Sequence, residues 1–317
     1  MIYILILIGC ALLIFGGNIL VDGAVSVARR MKVSSLLIGL TLVGFGTSTP
    51  ELMTSLQAAY LHAEGISVGN VVGSNIANIL LVLGVSAFLH PIVVHKSSFK
   101  RDSLFLCIST GVLILALLWG KINFFLGILM CATLGYYVYY SYETEKKQPK
   151  NPEAPAQTPE THTHKSNSHH ELGLALAKTI IGIVLTVFGA RVLVSNSMIL
   201  AVKLGISETI IGLTIVALGT SLPELATSVI ASIKKQSSLA LGNVVGSNIY
   251  NALFILGLTA VFVNVNVPGD VLPNIAIMAI STILLLLFGF RGSLSKKVGL
   301  LFIVLYIFYI GYLAYTA

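Results

Sequence analysis

Apolar residues along this chain come in long blocks, with neither the alternation of a half-buried strand nor the narrow stripe of a surface helix. The blocks include Ile2 to Val21, Phe105 to Trp119, Leu172 to Leu193, Ile275 to Phe290 and Val298 to Tyr315. Each holds roughly 15 to 22 residues, which with its flanks covers a ~30 Å hydrocarbon layer as a helix. The pattern predicts helices near 1–28, 34–61, 66–90, 102–119, 122–142, 172–202, 207–233, 238–263, 270–290 and 297–316. The expected fold is therefore an all-α membrane protein with ten transmembrane helices. No basic segment precedes the first block, so it is expected to be retained as a span.

One stretch breaks the pattern. Residues 143–171 are rich in Pro, Lys, Glu, Thr and His, and are expected to form a disordered cytoplasmic linker between units 1–142 and 172–317. His162, His164, His169 and His170 are expected to be solvated there rather than to hold a metal. Composition agrees with the membrane reading: of 317 residues, 56% are apolar and only 10% charged. The formal charge of +7 does not point to nucleic acid, because Lys and Arg cluster between the blocks. With the N-terminus outside, fifteen basic residues fall on inner loops and span ends, and only Lys121 and Lys203 on outer ones. That asymmetry predicts both termini outside a cytoplasmic membrane. Cys10, Cys107 and Cys131 lie within apolar blocks and are expected to be packing residues.

The two units are copies. IGLTLVGFGTSTPELMTS at 38–55 matches IGLTIVALGTSLPELATS at 211–228, and VGNVVGSNIANIL at 68–80 matches LGNVVGSNIYNAL at 241–253. At a constant offset of 173, 26 of the 47 positions from Ile38 to Gly84 are identical. Five spans per copy is an odd number, so the second copy enters from the opposite side. The expected result is a pair of inverted-topology five-helix repeats, an architecture suited to alternating access. A channel of the same build stays open at this point.

Asp22, Glu51 and Glu224 are expected to be the acids deep within spans. Glu51 and Glu224 are repeat partners, each following a proline in GTS-x-PE. Pro50 and Pro223 lack an N–H and should break their helices, freeing carbonyls around Gly46, Thr47, Gly219 and Thr220. Such irregular backbone survives at this depth only when buried in protein or lining a wet cavity. Carbonyls, hydroxyls and a carboxylate within one turn make a hard, oxygen-only cation site. A carboxylate near the bilayer centre costs roughly 2.5–3.5 kcal/mol, and a divalent cation would neutralise two at once. Asn70, Ser74 and Asn78 share one face of the next helix, as do Asn243, Ser247 and Asn251; Asn78 and Asn251 are candidate ligands. Gly69, Gly73, Gly242 and Gly246 should permit close helix approach. Arg191, within the sixth span, is expected to be structural.

The motif pairs GTSTPE…GNVVGSNIAN and GTSLPE…GNVVGSNIYN resemble the two alpha-repeats of the sodium/calcium exchangers, of the calcium:cation antiporter superfamily. The compact length suits a prokaryotic member. The resemblance implies four central sites, with Ca²⁺ between the two glutamates and Na⁺ competing for the same oxygens. It assigns Glu51, Thr47, Ser48 and Ser74 as ligands from the first repeat, and Glu224, Thr220, Ser221 and Ser247 from the second. It adds the backbone carbonyls of Gly44 and Ala217. Potassium-dependent relatives carry Asp where Asn251 stands; with two amides here, transport without K⁺ is expected.

The function expected is thus secondary antiport of Na⁺ and Ca²⁺, electrogenic if three Na⁺ exchange for one Ca²⁺. The ions are cargo and no cofactor or obligatory protein partner is expected. The alternatives are proton/calcium exchange, whose branch carries a GNA-type turn instead of GTS-x-PE, and a cation channel. An enzyme is not expected, because no base or nucleophile accompanies the glutamates.

Overall fold

The structure is a computed structural model that describes residues 2–147, 168–204, 217–267 and 271–316. Its helices are α1 (Ile2–Met31), α2 (Ser35–Thr47), α3 (Thr49–Tyr60), α4 (Glu64–Leu89), α5 (Lys96–Leu118) and α6 (Phe124–Lys147). They continue as α7 (Ser168–Lys203), the single turn α8 (Ala217–Gly219), α9 (Leu222–Ile233), α10 (Ser237–Phe262), α11 (Leu272–Gly289) and α12 (Lys296–Thr316). Among the described residues eight helices are long and apolar enough to cross a membrane, or nine if the bent pair α2–α3 is one span. The expected helix over 207–233 lies partly outside the described residues. Four two-residue strands pair at the helix ends: Ile92–Val93 with Ser293–Leu294, and Lys121–Ile122 with Val265–Asn266. Both pairings join one copy to the other.

The molecule is built as a core inside a shell. Helices α4 and α10 are the most enclosed, with 78% and 83% of their best 18-residue windows buried. Apolar side chains such as Leu7, Phe15, Leu115, Phe125, Ile180, Leu287 and Phe308 point outward, the surface a lipid solvent requires. Trp119 at one end of the shell and Tyr139 and Tyr142 at the other are exposed where interfacial aromatics belong.

The long helices α1 and α7 cross the molecule side by side. A Cβ added to Gly9 would meet Leu193, one at Gly16 would meet Thr186, and one at Gly23 would meet Thr179. Partner numbers fall as glycine numbers rise, so the two helices are antiparallel. Gly182 meets Leu20 and Gly189 meets Leu13. Shifting the Gly9–Leu193 and Gly16–Thr186 contacts by 173 therefore reproduces the Gly182–Leu20 and Gly189–Leu13 contacts with the helices exchanged. The absence of side chains at seven-residue spacing lets the backbones touch. A Cβ on Gly16 would lie 2.7 Å from Thr186 N and 2.9 Å from Leu185 Cβ. Gly16→Leu should therefore destabilise by about 1–3 kcal/mol through overpacking. Gly111→Leu, with no described atom within 4 Å of the added Cβ, should be neutral or slightly stabilising. Melting curves of the two purified variants test this contrast.

Polar tethers gather on the basic face, where α1 ends and α7 begins. Arg30 pairs with Glu171, and Glu145 accepts from Ser34 N at 2.9 Å and from Arg101 Nη1 at 3.2 Å. Glu145 and Glu171 lie within the stretch expected to be a disordered linker. The correction is that α6 runs on to Lys147 and α7 starts at Ser168, because these acids find cationic or N–H partners; 148–167, with His162 and His164, lie outside the described residues. Asp22 is also corrected. It is largely exposed and pairs with Lys234 Nζ at 2.8 Å. The acid the expectation omitted is Asp102, fully enclosed and held by Arg101 at 2.7 Å. Cys107 faces outward and Cys10 and Cys131 are half-buried, so the thiols belong to the shell more than to the core. Arg191 is exposed on α7.

Candidate cation-binding site

The site forms where the two GTS-x-PE turns meet. Helices α2 and α3 are bent by 44° at Ser48, whose φ of −81° and ψ of 9° lie in the bridge region. Ser221 repeats the geometry at φ −87° and ψ 6°. Pro50 and Pro223 sit in the first turn of α3 and α9, where a missing N–H is tolerated. The break is thus a re-started helix, and it places Glu51 and Glu224 in a first turn, where the helix dipole favours negative charge. The Gly44 carbonyl accepts Ser48 N at 3.1 Å and lies 3.4 Å from Thr47 Oγ1.

The two carboxyls are held crosswise. Ser48 Oγ donates to Glu224 Oε1 at 3.0 Å, and Ser221 Oγ donates to Glu51 Oε1 at 3.4 Å. Both contacts join opposite copies at equivalent positions. Each carboxyl is fully buried, and each has one oxygen, Oε2, with no hydrogen-bond partner among the described residues. Asn78 and Asn251 are equally buried, and all four of their side-chain polar atoms lack a partner among the described residues. Ser247 Oγ lies beside the Glu224 carboxyl without a well-aligned hydrogen bond. A buried unpaired polar group costs about 1–3 kcal/mol, so a hard cation would relieve the oxygens among these orphans. The donors expected for this site are all oxygen: two carboxylates, the hydroxyls of Thr47, Ser48, Thr220, Ser221, Ser74 and Ser247, and the amide oxygens of Asn78 and Asn251. Ca²⁺ takes six to eight such ligands at about 2.3–2.6 Å. Na⁺ accepts the same hard donors.

The next helices supply the other wall. Asn78 and Asn251 each open a wide π-type turn, Asn78–Leu83 in α4 and Asn251–Ile255 in α10. A third such turn, Gly39–Val43, precedes the break in α2. These turns swing the following backbone out of register and are common at functional sites. Helix α2 lies directly on α10: a Cβ on Gly39 would meet Leu239 O at 2.7 Å, and one on Gly246 would meet Leu40 Cα at the same distance. Gly69 and Gly73 meet no described atom, and their repeat-related neighbours fall among 205–216, outside the described residues. Ala217 opens the turn α8, ahead of Thr220.

The expected ligands Thr47, Ser48, Glu51, Ser74, Asn78, Ser221, Glu224, Ser247 and Asn251 are all buried, and Thr220 is half-buried. Several site residues had no assigned role. Ser55 and Ser228, one turn beyond the glutamates, each accept a hydrogen bond from an asparagine, Asn70 and Asn243 respectively. Their signal was available, since both close the conserved-by-duplication blocks 38–55 and 211–228. Asn75 and Asn248 meet at the α4–α10 contact, where Asn248 Nδ2 donates to Asn75 O at 3.3 Å. Among the described residues no group of three or more His, Cys, Asp or Glu is placed to hold a metal ion.

Comparison with known proteins places this geometry. The family model for the sodium/calcium exchanger protein matches residues 1–143 and 174–315. The chain is similar to the sodium/calcium exchanger MaX1 of Methanosarcina acetivorans, at 33% identity over 98% of this chain and 97% of the relative. It is 37% identical to a putative antiporter, CaxA, of Alkalimonas amylolytica, over 93% and 92% of the two chains. The solved sodium-calcium exchanger NCX_Mj, soaked with 10 mM Na⁺ and zero Ca²⁺, superposes at a TM-score of 0.84 and 31% identity, covering 98% of this chain and 99% of that one. The chain therefore belongs to the sodium/calcium exchanger family, as a membrane antiporter of the prokaryotic type.

Proposed function

We propose that this protein exchanges Na⁺ for Ca²⁺ by alternating access, binding both ions in mutual exclusion between Glu51 and Glu224. The observation that carries the reading is the pair of buried carboxyls, each anchored by a serine of the other copy and each with one oxygen unpartnered among the described residues. The full ligand set is Thr47, Ser48, Glu51, Ser74 and Asn78 with Thr220, Ser221, Glu224, Ser247 and Asn251, and the carbonyls of Gly44 and Ala217. The antiparallel α1–α7 contact and the crossed strand pairings support two inverted five-helix repeats, ten spans in all. The basic residues around Arg30, Arg101 and Lys234 share one face, which supports an orientation in a cytoplasmic membrane with both termini outside.

The charge count gives the energetics. Two carboxylates carry −2, so Ca²⁺ makes a neutral site and three Na⁺ leave +1. Each elementary charge moved is worth ~2.3 kcal/mol per 100 mV, so a negative interior would drive Ca²⁺ out. Asn251 adds no third charge, which supports K⁺-independence. In proteoliposomes, radiolabelled Ca²⁺ uptake should follow an outward Na⁺ gradient and carry current. Gradients of K⁺ or of pH alone should give no uptake. Uptake under a pH gradient without Na⁺ would replace this reading by proton/calcium exchange, and uptake without any counter-ion by a channel.

A further inference from the structure

Asn70 and Asn243 stand outside the ligand set, yet each touches both halves of the site. Asn70 Nδ2 donates to Glu51 O at 3.0 Å and to Ser55 Oγ at 2.9 Å. Asn243 Nδ2 donates to Glu224 O at 3.4 Å and to Ser228 Oγ at 2.9 Å. The Glu main-chain oxygen can only accept, so each amide must turn its nitrogen toward its own copy. Its Oδ1 then faces a threonine hydroxyl of the other copy: Thr220 Oγ1 lies 3.5 Å from Asn70 Oδ1, at the outer limit of a hydrogen bond, and Thr47 Oγ1 lies 3.2 Å from Asn243 Oδ1, with its own helix carbonyls Val43 O at 3.1 Å and Gly44 O at 3.4 Å as further acceptors. The asparagine and threonine partners are 150 and 196 residues apart in the chain.

A threonine hydroxyl has one proton. Given to the asparagine oxygen, or for Thr47 shared between Asn243 Oδ1 and Val43 O, it leaves the hydroxyl's lone pairs free for a cation; turned toward the ion, the same proton would repel it. We propose that Asn70 and Asn243 are positioning residues of the exchanger, orienting the Thr220 and Thr47 hydroxyls toward the ion and tying each carboxylate-bearing turn to the opposite copy. A neutral acceptor suits this task, because it adds no charge to a site whose two carboxylates already match one divalent ion. The amides act through the threonines and glutamates and do not touch the ion themselves.

This inference rests on the carboxylate pair as the cation site, and a double-mutant cycle on the full-length protein tests it separately. Calorimetry with CaCl₂ in detergent would be run on wild type, Asn70→Ala, Thr220→Val and the double variant. Each single change should weaken Ca²⁺ binding about 5–20-fold, and the double variant should be close to the weaker single, because both remove the same contact. A purely structural asparagine would lower the melting midpoint and leave the Ca²⁺ dissociation constant unchanged; that result, or fold-changes that simply multiply, overturns the proposal. Should Asn70→Ala not fold, Asn243→Ala with Thr47→Val runs the same cycle on the other half. Failure of the wild type to bind Ca²⁺ overturns the cation site and this inference together, whereas wild-type binding with unaltered variants overturns the inference alone.

Discussion

Glu51→Gln should abolish Na⁺-dependent Ca²⁺ flux, by a factor approaching a thousand, while the protein still folds and inserts. At an effective dielectric of about 20, unit charges 4 Å apart interact by about 4 kcal/mol, and a divalent ion doubles that. Retaining only half of this value as the net loss, after desolvation, leaves about 4 kcal/mol, nearly three orders of magnitude in affinity. The fold should survive because Gln keeps the shape and an oxygen that can accept from Ser221, which now donates to Glu51 Oε1. Removing a buried charge that lacks a cation relieves desolvation as well. Glu224→Gln should behave alike, since Ser48 holds Glu224 Oε1 in the mirrored contact. Flux in proteoliposomes, with gel filtration to check folding, measures both. Wild-type rates in either variant would remove the carboxylate pair from the mechanism.

The second large effect lies away from the site and acts on stability. Arg101→Ala should lower stability by about 3–5 kcal/mol, because it strands two enclosed acids. Arg101 Nε and Nη2 grip both oxygens of Asp102 at 2.7 and 3.1 Å, and Nη1 reaches Glu145 at 3.2 Å and Ser141 O at 3.4 Å. The side chains are only 8%, 2% and 11% exposed, so water cannot replace the lost guanidinium. Glu145 also caps the chain entering α2 through Ser34 N, so its loss loosens the helix that carries Thr47. Replacing Arg101, Asp102 and Glu145 together by Met, Leu and Gln should recover most of the loss, since the cost lies in the unpaired charge. Melting curves with and without Ca²⁺ test this. A single variant as stable as wild type would show the cluster to be solvated.

The contrast between these two places explains what could be read in advance. The glutamates were legible because duplication wrote the motif twice at one offset, so Glu51 and Glu224 stood out against 56% apolar surroundings. Asp102 was not, because Lys100-Arg101-Asp102 at the edge of an apolar block looks like a solvated span end. Only packing of α5 against α6 encloses it. Asp22 failed in the opposite sense: it sits in an apolar block, yet it lies exposed at the surface, paired with Lys234.

The chain's order of apolar blocks, its basic asymmetry and its repeat determined by themselves a membrane protein, two copies, and a polar turn in each, because those properties depend on local residue chemistry alone. Tertiary structure decided which oxygens meet. The crossing of Ser48 to Glu224 and of Ser221 to Glu51, and the asparagine contacts to the opposite threonine, all depend on docking of one copy against the other. Contacts between residues 150 to 196 positions apart leave no local trace, since either partner alone is a common polar residue on a helix.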